Sequence, residues 1–107
     1  MPKLTVTRVK CRRESDSGSE CEIYLKGEGA KVWPSGSYRS IAEDQTININ
    51  WSITYSSDYT VELWEQDDTS PDDYIGGFTV TDSSRGETRA QLSGDGNSFD
   101  LYYRVDP

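Results

Sequence analysis

Two groups of acidic residues have the types and spacing to do chemistry. Asp16 and Glu22 lie six residues apart in Asp16-Ser17-Gly18-Ser19-Glu20-Cys21-Glu22, and Glu65, Asp67 and Asp73 stand at offsets of zero, two and eight. The second group sits in an unbalanced stretch. From Ser40 to Ser84 there is no Lys or Arg but there are ten acids, and six of them fall between Glu62 and Asp73. Two carboxylates ~4 Å apart repel by about 4 kcal/mol at an effective dielectric near 20. A loop that gathers such groups either splays into solvent or folds around a cation. The donors on offer are carboxylates, backbone carbonyls and hydroxyls. This hard, flexible, oxygen-only set suits Ca²⁺ better than Mg²⁺, which holds to stricter octahedral geometry. Neither group has EF-hand spacing or a helical pattern beside it. Asp68 and Asp72 read as solvated neighbours.

Other chemistry is thinly provided. The 107 residues contain no histidine, which removes Ser-His-Asp and Cys-His catalysis and ordinary zinc sites. Glu62 and Asp73 could in principle serve as a glycosidase pair. A chain this short is not expected to hold a deep substrate pocket, and the protein is expected not to be an enzyme. A formal charge of −8 repels nucleic acid. No apolar run approaches the ~20 residues of a membrane span, and Met1-Pro2-Lys3 leads into alternating sequence without a signal-peptide pattern. Trp33, Trp51 and Trp64 pose an alternative, a metal-independent surface for carbohydrate or a protein partner, although core packing is the default for such rings. Cys11 and Cys21 admit two readings. They are either buried small thiols or a disulfide closing the loop between them, which would favour an extracellular or periplasmic compartment.

The elements that must position these groups are strands. Ile47, Ile49, Trp51 and Ile53 alternate with Asn48, Asn50 and Ser52. Tyr59, Val61 and Leu63 alternate with Thr60 and Glu62, and Phe99, Leu101, Tyr103 and Val105 alternate with Asp100, Tyr102 and Arg104. Period two of this regularity marks half-buried strands. Breakers such as Pro34-Ser35-Gly36, Ser56-Ser57-Asp58, Ser70-Pro71-Asp72 and Gly94-Asp95-Gly96-Asn97 separate the runs. The spacing predicts eight strands, at roughly 3–11, 21–27, 30–34, 45–54, 58–65, 74–81, 87–92 and 98–105. The first changes parity between Leu4-Val6 and Val9-Cys11, which places a bulge near Thr7-Arg8. An all-β, antiparallel, Greek-key sandwich in one domain over 1–107 follows.

In this setting the acidic groups resemble those of the C2 domain, the calcium-dependent membrane-binding sandwich of protein kinase C and synaptotagmin. That family carries an Asp and, six residues on, an Asp before Pro-Tyr-Val in its first calcium loop. Asp16 and Glu22-Ile23-Tyr24-Leu25 are similar. Its third loop has Asp-x-Asp, then an Asp six further on leading into aromatic-Ile-Gly; Glu65-Gln66-Asp67 and Asp73-Tyr74-Ile75-Gly76 are similar. Glu replaces Asp at 22 and 65, and Ile23 replaces the usual Pro. The order of strands and loops fits the permuted, type II-like variant, in which the calcium loops join strands one to two and five to six. The resemblance implies Ca²⁺ as the bound ion, with Asp16, Glu22, Glu65, Asp67 and Asp73 as its ligands. It also implies an anionic lipid head group or a protein as the partner. Thr69-Ser70-Pro71 at a loop tip offers little for insertion into a bilayer.

Overall fold

The computed structural model describes residues 1–14 and 20–107. Nine strands are present among them: β1 (Lys3–Arg13), β2 (Cys21–Gly27), β3 (Ala30–Trp33), β4 (Arg39–Ile41), β5 (Thr46–Thr54), β6 (Tyr59–Glu65), β7 (Asp73–Val80), β8 (Arg85–Gly94) and β9 (Asn97–Asp106). They form two antiparallel sheets. One has the order β5-β1-β9-β8; the other runs β3-β2-β6-β7, with β4 also paired to β2. Neighbours in space are mostly not neighbours in sequence, as β1 beside β9 and β2 beside β6 show, and this is the Greek-key arrangement.

The ninth strand corrects the expected count of eight. β3 pairs with Leu25 to Gly27, and β4 then rejoins the same edge of β2 at Cys21 to Ile23. Between them Pro34 has no N–H to donate, and the chain leaves the ladder before returning to it. Arg39-Ser40-Ile41 is too short to display an alternation, so sequence pattern alone does not reveal it.

Alternation decides what faces inward. Leu4 and Val6, then Val9 and Cys11, are all fully buried, and the register of β1 shifts between Val6 and Arg8 against both its neighbours. The bulge expected near Thr7-Arg8 is therefore present, and it is what keeps both apolar pairs on the core side. Ile23 and Leu25 of β2, Val61 and Leu63 of β6, and Phe99 and Leu101 of β9 complete the core between the sheets. Trp33 and Trp51 are half-buried against this core, whereas Trp64 lies under the Lys26 ammonium, 4.1 Å from its ring. The three tryptophans therefore do not form one platform. Cys11 and Cys21 are both free, buried thiols, and burial above all pushes Cys11 up to about 11.

Candidate metal centre

The same alternation carries polar groups into the open end of the sandwich. Glu65 shares the parity of Tyr59, Val61 and Leu63, so it extends the inward row of β6 beyond the apolar core. Asp73 shares the parity of Ile75 at the start of β7, and the two acids are direct cross-strand partners. Ile23 of β2 pairs with Glu65 from the other side, and the Gln66 N–H donates to the Glu22 carbonyl at 2.8 Å. The start of β2 is thus tied to the β6–β7 connection.

The result is an open cavity of about 400 Å³ lined by Glu14, Glu20, Glu22, Glu65, Gln66, Asp67, Asp68, Thr69, Asp73 and Asp95. Eight of these ten are acids, and none of the ten is a Lys or Arg. Four of the five ligands that the sequence resemblance implies, Glu22, Glu65, Asp67 and Asp73, line this cavity. The fifth, Asp16, lies outside the described residues.

One participant is invisible to the sequence reading. One carboxylate oxygen each from Glu65, Asp73 and Asp95 lie within 4.8 Å of one another. Asp95 comes from Asp95-Gly96, the two-residue turn between β8 and β9, whose φ values of 52° and 80° are those of a type I′ hairpin. Read along the chain, Gly94-Asp95-Gly96-Asn97 signals only a turn. The pairing of β9 with β1 is what places it: Cys11 opposes Phe99 and Arg13 opposes Ser98, so β9 starts where β1 ends, at the mouth.

The electrostatics express the crowding. A hydrogen bond to Asp95, followed by burial and the charges of Asp95, Asp67 and Asp72, raises Asp73 above the usual Asp range. Burial raises Glu65, with a hydrogen bond from the Cys21 thiol acting the other way and Asp73, Asp95 and Asp67 adding to the rise. Asp67 is lowered, first by the Ser70 hydroxyl and then by the Thr69 N–H, which donates to Oδ1 at 3.2 Å. Asp72 is not merely solvated. The Tyr24 hydroxyl donates to its Oδ2 at 2.5 Å and the Asp67 N–H to its Oδ1 at 3.0 Å, so it braces the loop and its carboxyl is lowered, Tyr24 being the main cause.

These shifts have opposite consequences for the metal-free chain. Glu65 and Asp73 bind protons in the folded state over a window just above the ordinary carboxylate range, where the unfolded chain has released them. Stability therefore falls as pH rises through that window. Asp67 and Asp72 contribute stability that is present above their unfolded value near 3.8 and lost as pH falls through their lower folded values. Urea unfolding of metal-free protein between about pH 3 and 8 is expected to show maximal stability on the acid side of neutrality. A midpoint rising steadily to pH 8 would contradict these assignments.

The donor set fits a hard divalent ion. Two ligand oxygens on opposite sides of Ca²⁺ stand roughly 4.6–5.2 Å apart, given Ca–O distances of about 2.3–2.6 Å. The spread of the Glu65, Asp73 and Asp95 oxygens lies within that reach.

Compared by sequence, the chain matches no protein-family model and no curated protein. Compared by structure, it is similar to C2 domain A of plant Extended Synaptotagmin 1, with a TM-score of 0.56 and 10% identity over 97% of this chain and 90% of that one. It is similar to a structure of C2 domains A and B of Extended-Synaptotagmin 2, with a TM-score of 0.59 and 14% identity over 98% of this chain and 39% of that longer one. A further C2 domain structure is covered in full, as is this chain, at a TM-score of 0.60 and 13% identity. At these identities the likeness concerns architecture, and the architecture is that of a C2 domain.

Proposed function

We propose that this chain is a calcium-binding module, taking up Ca²⁺ in the acidic mouth through Glu65, Asp73 and Asp95, with Glu22, Asp67 and Asp16 completing the ligand set. The observation that carries the reading is the convergence of three carboxylates within 4.8 Å inside a cavity lined almost wholly by acids. Repulsion among them costs stability when no cation is present, and a divalent guest turns that repulsion into attraction. Two Ca²⁺ ions would bring the formal charge from −8 to −4, and the change would be concentrated at one end. The neutralised mouth would then accept an anionic partner, a lipid head group or an acidic protein surface. The exposed Thr69-Ser70-Pro71 tip carries no bulky apolar side chain, so the contact is electrostatic rather than insertive.

Calcium binding to the folded state alone raises stability by about 2.7 kcal/mol at a concentration one hundred times Kd. For a domain of this size that corresponds to roughly 10–20 °C in Tm. Melting curves of chelator-treated protein, with and without millimolar CaCl₂, test this. Superimposable curves would remove the reading.

A further inference from the structure

We propose that the β8–β9 hairpin is a third positioning element of this cation site, Asn97 orienting Glu65 and Gly94 setting how close the hairpin stands to Asp73. The inference rests on the calcium reading and extends it beyond the two acidic loops in which the sequence resemblance places all five ligands.

Asn97 is a polar side chain only 2% exposed, inward on β9 in the same row as Phe99 and Leu101. Its amide is held from both ends. The Cys21 thiol, itself 1% exposed, donates toward Oδ1 at 3.6 Å, and Nδ2 donates to Glu65 Oε1 at 3.4 Å. An Asn has one acceptor end and one donor end. The thiol contact at the oxygen therefore turns the NH₂ toward the carboxylate. Cys21 also lies within hydrogen-bonding reach of Glu65, but its single S–H proton serves one acceptor at a time, so Asn97 Nδ2 is the donor that stays on this carboxylate. Such contacts behind a ligating carboxylate set its direction and basicity.

Gly94 serves the other side of the hairpin. A Cβ at this position would stand 2.8 Å from the Ile75 carbonyl oxygen and 2.9 Å from that of Tyr74. Both are backbone atoms, which cannot swing aside as a side-chain tip could. The absence of a side chain is what allows β8 to end against the first residues of β7. That approach brings the next residue, Asp95, within reach of Asp73.

The test is calcium calorimetry on the whole chain, with metal-free melting curves beside it, for the wild type and for Asn97→Leu, Gly94→Ala and Asp95→Asn. Leu is close to Asn in shape and removes the donor to Glu65. Asn tolerates the left-handed φ of the Asp95 turn. The expected result is a Kd weakened about tenfold or more in each variant, with the metal-free melting temperature near that of the wild type for Asn97→Leu, raised for Asp95→Asn, which relieves charge crowding, and lowered for Gly94→Ala, whose Cβ meets backbone. Should Asn97→Leu fail to fold, Asn97→Ala, which adds no bulk, takes its place in testing the donor to Glu65; should Gly94→Ala fail to fold, Asp95→Asn tests whether the hairpin reaches the ion at all. Wild-type binding accompanied by unchanged affinity in the folded variants would overturn the role of the hairpin while leaving the calcium reading intact. No binding by the wild type would overturn both.

Discussion

Asp73→Asn is expected to melt higher than the wild type without metal and lower with it. The substitution removes the carboxyl that Asp95 and burial hold above its ordinary range, so the metal-free mouth loses its most crowded charge. It also removes one of the three carboxylates that converge at Glu65, Asp73 and Asp95. Paired with Asp67→Asn, it should reduce the calcium shift from roughly 10–20 °C to near zero. Asp67 accepts hydrogen bonds from the Thr69 N–H and hydroxyl, so the double variant gives back part of the metal-free gain. Thermal melts of the single and double variants at neutral pH, with chelator and with calcium, check both signs. A double variant that kept the full calcium shift would contradict the placement of the ion.

The second large effect lies in the core. Phe99 is the largest fully buried side chain among the described residues, on a strand with neighbours on both sides: it opposes Cys11 of β1 and Leu92 of β8. Replacing a buried Phe by Ala costs about 3–5 kcal/mol in lost transfer energy and residual cavity. Against a total of roughly 5–15 kcal/mol for an ordinary domain, that brings Phe99→Ala close to unfolding. By binding only the folded form, calcium should recover part of the loss. Urea titration gives the difference directly, and a cost below about 1 kcal/mol would mean that the core is not organised around β9.

Most of the sandwich is legible in the sequence because its strands are half-buried. Ile47 to Ile53 and Phe99 to Val105 alternate without a break, and the parity change in β1 exposes the bulge as a shift from Val6 to Val9. β4 escapes because a three-residue strand has no period to detect. It resumes the edge of β2 that β3 leaves at Trp33, just before Pro34. The site is legible to the extent that its residues lie in two local runs, since the offsets among Glu65, Asp67 and Asp73 and between Asp16 and Glu22 can be read along the chain. Asp95 and Asn97 cannot be read in this way. Their place depends on β9 pairing with β1, a contact across most of the sequence, and a Gly-Asp-Gly-Asn stretch is fully accounted for as a hairpin. Asp72 is undervalued by sequence for a related reason: its partner Tyr24 is 48 residues away.

Calcium binding here requires that the carboxylates at this end of the sandwich be held together more comfortably around a divalent ion than without one. Isothermal titration of CaCl₂ into chelator-stripped protein at neutral pH measures this most directly. The expected result is a saturable heat, accompanied below neutrality by release of protons from Asp73 and Glu65, whose carboxyls are raised and must be ionised to ligate. The released fraction, read from buffers of different ionisation enthalpy, should grow as the pH is lowered toward the raised values of these two groups. No heat at millimolar calcium, together with an unchanged melting curve, would contradict it.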